Sequence, residues 1–401
     1  MNLFKKIYCR AFQSVMYLAI PFLPYRKPTI LTCVEDIVRI IKENKKNSPL
    51  VVTDGFLYSS GACDNLLNAL SKNAISFAVY SGVCANPTVD NVNEGREIYL
   101  KRDCDCLIAF GGGSAMDSAK AVGALIAYPK KNISDLKGLL KVNRKLPLFF
   151  AIPTTAGTGS ETTIASVITD SKLKHKYTVN SFPLIPNYAV LDERVTFSLP
   201  KSLTATTGLD ALTHAVEAYI GRSTTPQTRK YAKRAVKLIF ENILTAYNQP
   251  QNAVARKNML TASFYAGIAF TKSYVGYVHA VAHSLGGRYN IPHGLANSVL
   301  LPVFLQEYGR KIHKKLFKLS LYSGLCDKSV GVKKGAEIFI AKINAICKEC
   351  SIPNCFEQIK EEDIGQMAVH ADREANPLYP VPVLYGVSEL EKIYYKVMKK
   401  D

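Results

Sequence analysis

Histidines are concentrated in one short stretch of this chain. The sequence HAVAHSLGGRYNIPHG (279–294) contains three of the seven histidines found in 401 residues. His279 and His283 are four residues apart, which places both side chains on one face of a helix. His293 follows in a turn, IPHG, that contains proline and glycine. Imidazole groups in this number indicate either a metal site or a cluster of acid–base groups.

A second segment supplies residues that would complete a metal site. In GLDALTHAVEAY, Asp210 and His214 also have the i, i+4 spacing of one helical face. One carboxylate and three imidazoles suit a borderline divalent metal such as Fe²⁺ or Zn²⁺. Four histidines are available for three such positions. Spacing alone leaves open whether His279 and His283 both bind metal or whether one of them faces the reacting groups.

A glycine-rich turn follows an apolar strand in CLIAFGGGSAMDSAK (106–120). Gly111, Gly112 and Gly113 would make the tight turn, and Ser114 is predicted to cap the helix that follows. Because a helix N-terminus offers N–H groups and a partial positive charge, a pyrophosphate fits this place. The pattern differs from the G-x-G-x-x-G fingerprint, so a simple strand-to-helix turn is the alternative interpretation.

Two further strand ends carry residues suited to a nucleotide. PTTAGTGSE (153–161) places the hydroxyls of Thr154, Thr155 and Thr158 in a second glycine loop, which we expect to face the same crevice. VVTDG places Asp54 where a carboxylate would accept hydrogen bonds from a ribose diol and repel a 2′-phosphate, which favours NAD over NADP. An ordinary polar loop and an ordinary turn residue are the respective alternatives.

The elements that must position these residues fall into two groups. Helix-like and strand-like patterns alternate from about residue 34 to residue 150, which predicts βαβ units and a mostly parallel sheet. After about residue 198, long helical patterns dominate, at 203–221, 225–248, 253–270 and 330–350. We therefore predict an α/β dinucleotide-binding domain over 28–198 and an all-α, metal-binding catalytic domain over 199–401.

Residues 1–27 form a basic and apolar extension that we predict to be helical. Lys5, Lys6 and Arg10 precede a mostly apolar run from Ala11 to Leu23. The favoured interpretation is an amphipathic helix docked on the body of the protein or on a partner. A role at a membrane surface or shell, or in targeting, is the second interpretation, and a cleaved export signal is the third.

Composition limits the class of protein. The net charge is +19, but the lysines are scattered over predicted helix faces, and the sequence contains no RNP, zinc-finger or helix-turn-helix signature. We therefore expect no nucleic-acid partner. Ten cysteines without framework spacing indicate reduced thiols in a cytoplasmic protein. Cys347 and Cys350 have CxxC spacing. We interpret them as incidental cysteines, and the alternative is a second metal or redox site.

Four ordered motifs together resemble the iron-containing (group III) alcohol dehydrogenases. They are GGGSAMDSAK, IPTTAGTGSE, TGLDALTHAVEAY, and HAVAHSLGG followed by PHG with Asn297. The resemblance runs from about residue 28 to the C-terminus and includes the late ANP of 375–377. It implies a hydride transfer between NAD(H) and a small primary alcohol, diol or aldehyde, with Fe²⁺ expected and Zn²⁺ as the alternative. It also implies a homodimer or larger assembly.

The resemblance assigns roles residue by residue. It implies that His283 is the catalytic histidine beside the nicotinamide, often assigned to proton relay. It implies metal ligands at Asp210, His214, His279 and His293. It implies cofactor contacts at Asp54, Gly111, Gly112, Gly113, Ser114, Asp117, Thr154, Thr155, Thr158 and Lys176.

The segment FTKSYVGYVHA departs from the pattern of this family. Lys272 and Tyr274 stand where relatives more often carry Asn and a small residue, so we place Phe270, Lys272 and Tyr274 in a candidate substrate pocket. These differences leave two rival enzyme functions open. One is a polyol or phosphorylated-polyol dehydrogenase, whose anionic substrate Lys272 would suit. The other is a dehydroquinate-synthase-like lyase on the same fold, which uses NAD and a metal without net redox change.

Overall fold

The chain folds into two compact units. The structure, a computed structural model, describes residues 1–170 and 175–399. One unit comprises Pro24–Leu199, and the other comprises Met1–Leu23 together with Pro200–Asp401. The chain passes from the first of these units to the second between residues 199 and 200. The N-terminal helix α1 (Leu3–Ala19) belongs to the second unit.

The first unit alternates strands with helices. In chain order its elements are β1 (Thr29–Leu31), α2 (Glu35–Glu43), β2 (Pro49–Asp54), α3 (Gly55–Ser59), α4 (Asp64–Lys72), β3 (Ala78–Val83), α5 (Val89–Lys101), β4 (Cys106–Gly111), α6 (Gly113–Ala127), β5 (Gly138–Leu139), β6 (Leu148–Pro153), β7 (Ala165–Asp170), β8 (His175–Asn180) and β9 (Tyr188–Val190).

Six strands form a fully parallel sheet in the order β1–β9–β6–β4–β2–β3. Its central strands are apolar along most of their length because both faces of the sheet are covered. Leu50 and Leu107 belong to the core on one face, and Val51 and Ile108 belong to the core on the other. This architecture confirms the predicted α/β unit with a mostly parallel sheet.

A smaller sheet was not anticipated from the sequence. Strands β7 and β8 pair antiparallel, and the two-residue β5 pairs with β8. The sequence predicts no helix or strand between residues 162 and 198. Strand β7 alternates only partly between buried and exposed positions, and the very short β5 carries no periodic signal.

The second unit is helical. After α1 its helices are α7 (Lys201–Ile220), α8 (Pro226–Asn248), α9 (Ala253–Ser273), α10 (Tyr277–Tyr289), α11 (His293–Tyr308), α12 (Arg310–Tyr322), α13 (Val332–Glu349), α14 (Glu361–Ala375) and α15 (Val387–Val397). Helix α7 is buried along nearly its whole length after Thr204. A helix enclosed in this way can present polar side chains to a dry interior.

Helix α1 is attached to this unit through polar contacts. Lys5 Nζ lies 2.6 Å from a carboxylate oxygen of Asp372. Arg10 donates to the carbonyl oxygen of Val381 at 2.7 Å, and Gln13 donates to that of Tyr379 at 2.7 Å. Within residues 1–170 and 175–399, no helix is both long and apolar enough to cross a bilayer.

Candidate functional site

Three helices bring a carboxylate and three imidazoles together. Asp210 and His214 lie one turn apart on α7, His279 lies on α10, and His293 is the first residue of α11. Asp210 Oδ1 is 4.0 Å from His214 Nδ1, 3.8 Å from His279 Nε2 and 3.5 Å from His293 Nε2. The four possible ligand atoms all lie within 4.8 Å of one another. Such spacing fits one metal ion bound at about 2 Å from each donor.

Burial keeps the imidazoles in the form that binds metal. The side chains of Asp210, His214 and His279 are only 3–7% exposed. Burial lowers the pKa of His279 well below its ordinary value and that of His293 to about 4, so both rings are neutral near pH 7. His279 Nε2 is buried and has no hydrogen-bond partner among the described residues. A buried acceptor of this kind, beside a carboxylate, fits a divalent cation.

Glu217 orients one of these ligands. It lies on the same face of α7 as Asp210 and His214, and its Oε2 is 2.6 Å from His279 Nδ1. The same carboxylate accepts hydrogen bonds from the backbone N–H groups of Gly276 and Val278, at the start of α10. Burial raises the pKa of Glu217, and the N–H donors oppose that rise because they stabilise the carboxylate. With Nδ1–H donated to Glu217, His279 presents Nε2 to the cluster.

Asn297 joins two further ligands. Its side-chain nitrogen donates to Asp210 Oδ1 at 2.6 Å and lies 3.0 Å from His293 Nε2. Asn297 is fully buried one turn beyond His293 on α11. The Asn297 amide therefore fixes the position of the Asp210 carboxylate relative to the His293 ring.

His283 stands beside the four-residue cluster and outside it. Its ring stacks on that of His293 with centroids 5.0 Å apart. Its Nδ1 is 2.6 Å from Glu374 Oε1, and the same oxygen accepts a hydrogen bond from Tyr379 Oη at 2.8 Å. The His283 side chain is 45% exposed. His283 is thus an accessible histidine outside the cluster, in which His214 and His279 are buried and the His293 side chain is 39% exposed.

The three residues of the candidate substrate pocket have different surroundings. The ring of Phe270 stacks on that of His214 with centroids 4.1 Å apart. Lys272 Nζ donates to Gln227 on α8 at 2.9 Å. Tyr274 directly follows α9 and has a φ of 60°. Phe270 therefore touches a possible ligand, whereas Lys272 and Tyr274 stay predictions for the pocket.

In the α/β unit, the two glycine loops contact each other. Strands β4 and β6 are neighbours, and the Thr154 backbone N–H donates to Gly111 O at 3.1 Å. A Cβ at Gly112 would lie 3.4 Å from Thr155 Oγ1, and a Cβ at Gly113 would lie 3.2 Å from Thr158 Cγ2. Glycine at positions 112 and 113 leaves open the space between these two loops, which we call the cradle. A phosphate group would need that space to approach the backbone.

The N-terminus of α6 opens at this cradle. The residue before the helix is Gly112, and no side chain caps it. The prediction that Ser114 caps α6 is therefore wrong, because Ser114 already lies in the first helical turn. An uncapped N-terminus of a 15-residue helix is suited to a pyrophosphate.

Three other candidate cofactor residues bind protein groups. Asp54 ends β2, beside β4, and its Oδ1 accepts from the Leu57 N–H at 2.9 Å. Asp117 accepts from Ser160 Oγ and Val167 N, both at 3.1 Å, and thereby anchors the second loop. Lys176 Nζ, on β8, donates to Asn86 at 2.8 Å. Direct cofactor contacts at these three residues stay predictions.

Sequence reasoning passed over Lys120, which is buried beside Asp117. Its ammonium donates to Ser160 O, Thr163 Oγ1 and Ala165 O at 2.7–2.8 Å. The lysine at the end of GGGSAMDSAK could have indicated this contact. A lysine on the buried side of a helix needs hydrogen-bond acceptors for its ammonium group.

The cysteines form no second site in the part of the chain that the structure describes. All ten are free, and the cluster around Asp210 is the one group there that could hold a metal ion. Burial raises the pKa of Cys347 to about 12 and that of Cys350 to about 11, so both thiols stay protonated.

Comparison with known proteins identifies two family matches. The family model for iron-containing alcohol dehydrogenase matches residues 31–193. The model described as Fe-containing alcohol dehydrogenase family, C-terminal, matches residues 204–398. Helix α1 precedes both matches.

Individual proteins are similar over most of the chain. Alcohol dehydrogenase 4 of Schizosaccharomyces pombe is 37% identical over 358 residues, which cover 87% of this chain and 83% of that protein. The crystal structure of a 1,3-propanediol oxidoreductase has a TM-score of 0.89 and 32% identity, covering 93% of this chain and 98% of the other. Sulfoacetaldehyde reductase from Bifidobacterium kashiwanohense, in complex with NAD⁺, has a TM-score of 0.84 and 29% identity, covering 94% and 99%.

Proposed function

The chain belongs to the iron-containing alcohol dehydrogenase family, and from that premise we propose that it transfers a hydride between NAD(H) and a small primary alcohol, diol or aldehyde. The observation that carries this proposal is the cluster of one carboxylate and three imidazoles on α7, α10 and α11. We propose Fe²⁺ as the resident metal, with Zn²⁺ as an alternative for the same ligands.

We assign metal binding and proton exchange to different residues of this chain. Asp210, His214, His279 and His293 would hold the divalent ion. When bound, the ion supplies Lewis acidity toward an alcohol oxygen, and the nicotinamide carries the hydride. His283 has its Nδ1 directed at Glu374, which leaves Nε2 to exchange a proton with the reacting oxygen or with solvent.

For the cofactor, the cradle of Gly111, Gly112 and Gly113 with the first turn of α6 supports a pyrophosphate site. We assign Ser114, Thr154, Thr155 and Thr158 to the same site and Asp54 to the ribose, which favours NAD. The NAD⁺ complex of the sulfoacetaldehyde reductase supports this choice of cofactor.

We also propose the cytoplasm as the compartment, because ten free thiols are typical of reducing conditions. A homodimer or larger assembly is proposed from the family.

The decisive experiment is an anaerobic NADH-oxidation assay against a panel of aldehydes and ketones, with apo-protein reloaded with Fe²⁺ or Zn²⁺. Turnover should depend on the metal, and net NADH consumption separates a dehydrogenase from the lyase that shares the fold. Asp210→Asn should lose both bound metal and turnover, while the matched Asp64→Asn on α4 should keep both. Unchanged metal content in Asp210→Asn would refute the assignment of the site.

A second candidate is an anionic aldehyde or a phosphorylated polyol as the substrate. Lys272 lies two residues beyond Phe270, whose ring stacks on His214, and its amine contacts Gln227 on α8. One similar structure is a sulfoacetaldehyde reductase. Lys272→Met should then raise KM for sulfoacetaldehyde or a phosphorylated substrate and leave KM for propanal unchanged. An equal change for both kinds of substrate would exclude this specificity.

A further inference from the structure

Helix α1 shows an apolar face to solvent. Seven large apolar or aromatic side chains on α1 and the turn that follows it are each 58–86% exposed. At 100° per residue they occupy one side of the helix, where Ala11 and Ser14 are the remaining members. We call this side the outer face; its large residues are Leu3, Phe4, Ile7, Tyr8, Val15, Leu18 and Phe22.

The opposite side of α1 is fixed to the helical unit by polar groups. Cys9 and Gln13 are 0% and 3% exposed. Gln13 donates to the carbonyl oxygens of Pro377 and Tyr379, and Arg10 donates to those of Val381 and Pro382. These contacts set the rotation of α1 about its axis. The helix therefore directs its apolar side outward, the reverse of an ordinary surface helix.

The charged side chains of α1 are all basic. Helix α1 carries Lys5, Lys6 and Arg10 and no acidic residue. Lys5 pairs with Asp372 and Arg10 donates to backbone carbonyl oxygens, whereas Lys6 is exposed. The whole chain carries a net charge of +19. An apolar helical face with cations at its flanks suits the boundary between headgroups and acyl chains of an anionic bilayer.

We propose that α1 docks this enzyme on membranes that contain anionic phospholipid, with the outer face lying in the headgroup boundary. The helix lies in the plane of the membrane, since none of the described helices is long and apolar enough to cross it. A second copy of the chain is the less suitable occupant, because it would bring an equally basic helix against this one. The proposal does not depend on the substrate or the metal.

The test is co-sedimentation of the full chain with vesicles of phosphatidylcholine alone and of phosphatidylcholine mixed with phosphatidylserine. The protein should bind the mixed vesicles and should be released by added salt. The double variant Phe4→Glu/Val15→Glu should bind at least about tenfold more weakly, since it removes apolar area and adds like charge. Both positions are exposed, so unfolding is not expected, and the melting temperature checks this.

A matched control is Leu139→Glu/Leu140→Glu, at positions of the α/β unit that are 62% and 58% exposed. It adds the same charge and should bind vesicles like the unchanged protein. Failure of the unchanged protein to bind, equal binding to neutral vesicles, or equal binding by both double variants would each overturn the proposal. So would a dimer that becomes a monomer in Phe4→Glu/Val15→Glu without any vesicle binding, because a second copy would then cover the outer face.

Discussion

Glu217 Oε2 lies 2.6 Å from Nδ1 of His279, and the same carboxylate holds two backbone N–H groups at the start of α10. One side chain on α7 thus fixes both the position of the start of α10 and the ring orientation of a possible metal ligand. Partners of this kind raise the basicity of a histidine and select which ring nitrogen faces the metal.

Glu217→Gln should weaken binding of Zn²⁺ by about 10–100-fold. Gln cannot accept from all three N–H donors, because one of its two polar atoms is itself a donor. Competition titration against a chromogenic chelator measures the affinity, and Glu241→Gln on the exposed side of α8 is the matched control. Unchanged affinity in a folded Glu217→Gln protein would show that the carboxylate does not orient the ligand.

Glu374→Gln should lower kcat by about 10²-fold or more. Glu374 positions His283, and a positioned acid–base group typically contributes that much to the rate. Metal content should not change, because His283 lies outside the four-residue cluster. The double variant His283→Gln/Glu374→Gln should be no slower than His283→Gln alone if the two residues act together. Additive losses of kcat would indicate separate roles.

Gly113→Val should weaken NADH binding by about tenfold or more, a loss of about 1.4 kcal/mol, because the added atoms fill the cradle beside Thr158. Quenching or enhancement of NADH fluorescence measures the affinity. Metal content and melting temperature should stay unchanged. Gly365→Ala is a suitable control, since its Cβ would lie 3.8 Å from Glu391 in ordinary contact. Normal NADH affinity in Gly113→Val would place the pyrophosphate elsewhere.

Glu161→Gln should stabilise the protein above pH 7. Burial raises the pKa of Glu161 to about 7 in the folded state, and its Oε1 has no hydrogen-bond partner among the described residues. The folded state therefore holds a proton that the unfolded state releases near pH 4.5, and stability is lost as the pH rises through 7. Between pH 4.5 and pH 7 the unfolding free energy of Glu161→Gln, relative to that of the unchanged protein, should rise by on the order of 1–3 kcal/mol.

Urea denaturation at several pH values between 4.5 and 8 checks this expectation. The same substitution at the exposed Glu97 serves as the control. A constant difference in unfolding free energy across the window would show that Glu161 does not change its protonation on folding.

Helical periodicity is a local property, so spacing alone can pair the candidate metal residues within each helix. Asp210 and His214, and likewise His279 and His283, reveal a shared face by spacing alone. Spacing did not distinguish His283 from the other histidines; in the structure it lies outside the four-residue cluster and contacts Glu374, 91 residues away. Glu217 could have been found, since it lies three residues beyond His214 on the same face.

The orientation of α1 was beyond sequence reasoning for a different reason. An amphipathic helix ordinarily buries its apolar side, and the sequence predicts only that such a side exists. Which side faces the protein depends on the carbonyl groups of residues 377–382, which accept from Arg10 and Gln13. Those partners are more than 360 residues distant in the chain, so no local pattern reports them.

Gly276 limits how this enzyme can be redesigned. A Cβ at this position would lie 2.5 Å from Glu217 Oε1, the oxygen that holds the start of α10. The neighbouring residues 270–274 contain the candidate substrate pocket and would be the first targets for altering substrate preference. Libraries that extend randomisation from them into Gly276 would displace His279 as well, so altered specificity and lost metal would be selected together. Keeping Gly276 fixed separates the two properties.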